Sequence, residues 1–218
     1  CDMEMGINLD GLADWEVLRP FNNLMKHCRD PFTFIANTWG TDNIAEISVD
    51  TSGYPTHIPQ TTSAGTTYMR YMLSSDGGNL KANQTYVFRY DGDAQFNVAG
   101  SVQNVVISSG RIQFTVNPTS GNIWIELTYS NASNHAKNFQ LLRLLDENID
   151  LNTQPFNSTF LEKITPFKTI RYMDWLKTNN SRNQIWADRS KSSYVSYGLK
   201  AGVPFEEIIR LANNTNTN

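Results

Sequence analysis

Residues 166–189 read PFKTIRYMDWLKTNNSRNQIWADR, and GVPFEEIIRLANNT follows at 202–215. The run 169–176 is aromatic and alternates enough to predict a buried strand. It leads into a polar loop, and together they hold Arg171, Asp174, Trp175, Asn179, Asn180 and Trp186 close in sequence. Residues 203–213 predict a helix, because Pro204 suits its first turn and Glu206 and Glu207 sit near its positive end. Strand, decorated loop and helix in this order is the opening unit of a (β/α) fold, whose loops after strands carry chemistry. One such unit cannot bury its strand on both faces. The stretch therefore reads as the front end of something larger, or as such a front end turned to another use.

Upstream the pattern changes. Residues 67–73, 84–90, 94–99, 102–108, 111–116 and 123–129 are short β-branched and aromatic runs, and 136–145 is a further strand candidate. Between them stand Asp76-Gly-Gly, Asp91-Gly-Asp, Ser109-Gly and Pro118-Thr-Ser-Gly-Asn, which are hairpin or loop signals. Short strands at regular spacing predict an antiparallel β-sandwich. Residues 5–58 look irregular, apart from a helix candidate at 20–29 and a short strand at 45–50. The polar stretch 146–155 marks a boundary. It divides a sandwich with an irregular lead-in, residues 1–150, from a strand-loop-helix segment, residues 151–218. The fold class is mainly β, followed by a short α/β part.

Composition removes several functions. The chain has 218 residues, 18% charged, with a net charge of −3. No basic patch is available for a phosphate backbone, which argues against nucleic-acid binding. No apolar run approaches the length of a transmembrane helix. His27, His57 and His135 are scattered without ligand spacing, and Asp91 with Asp93 offers too few oxygens for calcium, so no metal or other cofactor is expected. No P-loop, dinucleotide fingerprint or Ser-His-Asp order is present.

The chain starts at Cys1 rather than Met, which fits removal of a signal peptide and a secreted or cell-surface location. Cys1 pairs with Cys28 as a disulfide, which is the leading reading, or is the acylated first residue of a lipoprotein, or both thiols stay unpaired. Acceptor triplets for N-glycosylation occur at Asn83, Asn131, Asn157, Asn179 and Asn213. Their number is what a chain this rich in Asn, Ser and Thr shows by chance.

Longer phrases carry a resemblance. GINLDGLADW, PFNNLMK, DTSGYPTHIP, YVFRYDGD and FNSTFLEKITPFKTIRYMDWLKTNNS resemble secreted carbohydrate-active proteins often described as cellulose-binding or glycoside-hydrolase-like. That family begins with a sandwich resembling a carbohydrate-binding module and continues into a (β/α)8 barrel. The resemblance implies polysaccharide as partner and a strand-loop-helix segment equivalent to the first barrel unit. Family members carry an Asn-Glu pair after a later barrel strand, and this sequence stops after the first helix. Glycoside hydrolysis needs two facing carboxylates, and Asp174 and Asp188 in one loop make a weak pair. The expectation is a carbohydrate-binding protein without catalysis as given. The alternatives are a fragment of an active hydrolase, or a subunit that self-assembles into an extracellular filament or coat.

For the saccharide site, Trp175, Trp186 and Tyr172 would supply the aromatic platform, with Arg171, Asp174, Asn179 and Asn180 bonding hydroxyls. Against this stands the ordinary structural role, in which Trp175 packs the strand into a core and Arg171 pairs with an aspartate. Trp39 is the surface candidate of the N-terminal part. Trp124, inside an alternating run, is assigned to the core.

Overall fold

Ile123, Ile125 and Leu127 alternate with Trp124, Glu126 and Thr128, and the structure turns the first set inward. This computed structural model describes residues 5–35, 47–58, 67–119, 121–181, 183–198 and 202–217. The same period of two recurs in Arg111–Val116, where Ile112, Phe114 and Val116 are buried. Alternation separates two faces, and the apolar face of each strand must find another sheet.

Two four-stranded antiparallel sheets meet that need. In chain order the strands are β1 (Gly6–Asn8), β2 (Phe32–Ile35), β3 (Thr67–Ser74), β4 (Thr85–Asp91), β5 (Ala94–Gly100), β6 (Val102–Ser108), β7 (Arg111–Val116), β8 (Ile123–Ser130), β9 (Lys137–Arg143) and β10 (Thr169–Arg171). One sheet has the order β2-β3-β8-β5 and the other β6-β7-β4-β9. Their inner faces share one core, centred on Phe139. Its ring makes edge contacts with Tyr54, Tyr71, Phe88 and Phe96 at centroid distances of 4.9–5.6 Å. Burying each such ring contributes about 1.5–3 kcal/mol, so the shared core holds the sheets face to face.

Of the predicted turns, Ser109-Gly110 closes a true hairpin between β6 and β7. Asp91-Gly92-Asp93 does not: it carries the chain from β4 in one sheet to β5 in the other. Gly92 has φ +96°, and a Cβ there would lie 2.2 Å from the His135 carbonyl oxygen. Gly100, where β5 crosses to β6, has φ +98° and would meet the Asn122 oxygen at 1.9 Å. Both corners require glycine.

A second core lies beside the sandwich and is built from both ends of the described chain. β1 pairs in parallel with β10, in the register Gly6↔Thr169, Ile7↔Ile170 and Asn8↔Arg171. The helix α1 (Ser158–Ile164) precedes β10, and α2 (Phe205–Thr215) follows the long loop. Asn157 caps α1 by accepting from the Thr159 and Phe160 amides, and Phe160 and Ile164, four apart, face inward. Phe21 joins the parts, with ring contacts to Phe156, Trp175 and Tyr197 at 5.1–5.6 Å. A cut at 146–155 would leave residues 5–21 with the sandwich. In the structure Leu9, Leu12 and Phe21 instead pack with Phe160, Ile170 and Leu211, so the sandwich sits within the connection from β1 to α1.

Other local expectations are shortened. The predicted strand at 169–176 ends at Arg171 and becomes turns. The helix expected at 20–29 is a single 3-10 turn, Leu24–His27, because Phe21 is held in the second core and bridges to Phe156. Residues 47–50 form an isolated bridge at Val49 rather than a strand, and 45 and 46 lie outside the described residues. β2 was not anticipated. No helix of the described residues is long and apolar enough to cross a membrane.

Candidate functional site

The carboxyl ends of β1 and β10 point the same way because the strands are parallel, and the loops after them converge. Asp10 and Gly11 follow β1, and Met173, Asp174, Lys177, Thr178 and Asn179 follow β10; together they line an open hollow of about 300 Å³. A Cβ on Gly11 would stand at ordinary contact distance from both sides of the hollow, 3.4 Å from Lys177 Nζ and 3.9 Å from Asp174 Cβ. Thr178 also lines a second, neighbouring groove of about 390 Å³. In open α/β arrangements such strand ends are where ligands bind.

Trp186 forms the wall of that second groove. It opens a 3-10 turn, Trp186–Asp188, which Asp188 stabilises by accepting from the Gln184 and Ile185 amides at 3.3 Å. The indole is 67% exposed and stacks on Phe205 at 5.8 Å and 20°. The Arg189 guanidinium lies 4.2 Å from the indole centroid and bonds Glu206 at 2.8 Å. The Glu206 carboxyl is held below its usual range, first by a backbone N–H at the start of α2 and further by Arg189. Ile185 is also exposed, so the groove has a broad apolar lining edged by Asn183 and Gln184.

Beside the same groove two buried polar atoms, Arg189 Nε and Ser190 Oγ, find no hydrogen-bond partner among the described residues. Each such group costs about 1–3 kcal/mol when left unsatisfied.

The expected site residues divide. Trp186 lines the groove, and Asp174 and Asn179 line the adjoining hollow. Trp175 is not a platform. It is 1% exposed and stacks on Phe160 at 6.2 Å, because β10 ends early and the turn after it drives the indole into the second core. Arg171 is exposed, lies in neither cavity, and has its guanidinium 3.0 Å from Met173 Sδ rather than on an aspartate. Asn180 ends the short 3-10 turn Thr178–Asn180. Trp39 lies outside the described residues. Asp10, Arg189, Ser190 and Phe205 were missed. Asp10 follows a three-residue strand too short to show a period, and Phe205 is one of the apolar residues that α2 turns outward.

Trp124 is not a core residue. It shares a face with Glu126 and Thr128, a signal visible in the alternation, and lies on the outer side of its sheet. There Arg70 stacks on Phe34 at 3.5 Å and on Trp124 at 4.8 Å, and it pairs with Glu126 at 2.5 Å. The Arg70 and Glu126 side chains are only 12% and 14% exposed. The cation occupies the ring faces, so this cluster is less open to a ligand than Trp186.

Cys28 is fully buried with no disulfide partner among the described residues, and burial pushes its thiol pKa well up. The expected bridge partner, Cys1, lies outside the described residues. Among the acceptor asparagines, Asn83 is exposed on a turn with φ +62°, and Asn179 and Asn213 are also exposed. Asn131 donates its amide to Asp93 at 2.9 Å, and Asn157 is occupied as the α1 cap. No family model, curated protein or solved structure matches the chain.

Proposed function

We propose that this chain is an extracellular carbohydrate-binding protein, and that the groove beside Trp186 holds the saccharide. The observation that carries this reading is an indole 67% exposed over an apolar groove edged by the amides of Asn183 and Gln184. A pyranose has an apolar C–H face and a hydroxyl rim. The first packs on an aromatic ring, and the second bonds the Asn183 and Gln184 amides at the edge. The sequence phrases quoted above support a relationship to secreted glycoside hydrolases. In that reading β1, α1, β10 and α2 are the opening βαβα of a (β/α)8 barrel, with the sandwich inserted after its first strand.

The test is retention on insoluble polysaccharides and mobility in gels containing soluble β-glucan, comparing the protein with Trp186→Ala. Retention that Trp186→Ala abolishes supports the reading. Absence of retention on every polymer tried, or retention unchanged by the substitution, refutes it.

A second reading is favoured by β6. This edge strand exposes Val105, Val106 and Ile107 at 40%, 56% and 55%, and the strand has no charged residue. Uncharged apolar edges invite another strand, and β6 of a second copy offers the same neutral, apolar complement. Self-assembly through β6–β6 pairing fits a subunit of an extracellular polymer.

A further inference from the structure

We propose that the cleft between the sandwich and α1 is an oxyanion site that takes one sulfate or phosphate group, free or carried by a sugar. Four cationic side chains reach this cleft from separate parts of the chain: Arg19 from the linking segment, Lys81 and Arg143 from the sandwich, and Lys163 from α1. They face one carboxylate, Asp146, which is already paired with Arg143. The protein as a whole carries a net charge of −3, so this is a local reversal of sign.

The cleft holds about 100 Å³, room for a single compact anion and not for a sugar ring. Arg19 forms its base. Its Nη2 donates to the Gly78 carbonyl at 2.8 Å and its Nε to the Asn79 carbonyl, which fixes the guanidinium without neutralising it. Arg19 has no carboxylate partner among the described residues, and neither do Lys81 and Lys163. Burial lowers the Arg19 pKa; Tyr86 partly opposes that shift, and the Arg143 charge adds a smaller lowering. Two guanidiniums that repel in a half-buried cleft are relieved by an anion between them. Lys81 and Lys163 are exposed on opposite walls, where flexible ammonium groups can close on a bound oxyanion. The site is separate from the groove beside Trp186, so it stands whether or not that groove binds saccharide.

The experiment measures thermal unfolding and calorimetric binding with sodium sulfate, glucose 6-sulfate and sodium chloride at matched ionic strength. The proteins are the full chain, Lys81→Gln/Lys163→Gln and Trp186→Ala. Sulfate is expected to raise the unfolding temperature beyond chloride. Each lysine removed is expected to weaken sulfate binding by about fivefold to tenfold, with the unliganded unfolding temperature unchanged because both side chains are exposed. Trp186→Ala is expected to keep the sulfate response. Tighter binding of glucose 6-sulfate than of sulfate assigns the anion to a sugar, and equal or weaker binding assigns the free ion. An equal response to chloride, or a full sulfate response in the double variant, overturns the proposal.

Discussion

His27 Nδ1 lies 3.0 Å from Asn79 Oδ1, and both residues are fully buried where the sandwich meets the segment leading to the second core. The other ring nitrogen, Nε2, accepts the Phe21 amide at 3.2 Å. With both nitrogens engaged in this way the imidazole is neutral and carries its proton on Nδ1. Burial lowers its pKa to about 4; the bond to Asn79 opposes that shift, and the Arg19 charge adds to it.

This geometry has a sign in pH. The folded pKa lies below the unfolded value, so the unfolded chain takes up the proton first as pH falls. The stability is complete above about pH 6.5 and is lost progressively down to about pH 4, by an amount of order 3 kcal/mol. Urea unfolding at pH 7 and pH 4.5 measures it. His27→Gln is expected to be less stable at pH 7 and to show a flatter dependence across that window.

The two tryptophans near the groove separate stability from binding. Trp175→Ala empties a site packed by Phe21 and Phe160 and is expected to cost about 3–5 kcal/mol. Trp186→Ala removes an exposed ring and is expected to change stability by no more than about 0.5 kcal/mol, while removing polysaccharide retention. Paired denaturation and retention measurements on both variants check this.

Asp14 is buried, and its carboxylate accepts from Arg29 at 2.6 and 2.7 Å and from Ser75 Oγ at 2.6 Å. Asp14→Ala strands these donors, although Arg29 is 44% exposed and can rehydrate. The expected loss is about 2 kcal/mol, read from chemical denaturation. Ser75→Ala is expected to cost less.

If β6 edges pair between copies, Val106→Lys places like charges across the pair and yields monomer. Sedimentation over a range of concentrations checks this. A wild-type protein that stays monomeric at high concentration removes the assembly reading.

The Cys28 thiol is inaccessible in the fold. Ellman's reagent is expected to leave it unmodified in native protein and to modify it after denaturation without reductant. A denatured, unreduced chain with no reactive thiol would establish the Cys1–Cys28 bridge instead.

Much of the sandwich was legible because strand alternation is local. Ile112, Phe114 and Val116 mark one face within six residues, and no knowledge of the partner sheet is needed to see it. Trp124 was assigned to the core, although the same alternation sets it on the face of Glu126, away from the buried isoleucines. Legible as well was α2, from Pro204 and the two glutamates that follow it. The site was legible only in part. Trp186 and Asp174 stand out by residue type, but nothing local distinguishes the exposed Trp186 from the buried Trp175.

By itself, then, the sequence determined the strands of the sandwich from β3 to β9 and the helix α2, because these depend on neighbours within a few positions. Tertiary structure alone decided that Ile7 lies beside Ile170, that Asp91-Gly92-Asp93 changes sheet, and which tryptophan meets solvent. Those outcomes depend on contacts between residues far apart in the chain, whose net burial no short window records. A three-residue strand such as Gly6–Asn8 has no period of its own. Its place is fixed by the core that Phe21, Phe160 and Trp175 complete around it.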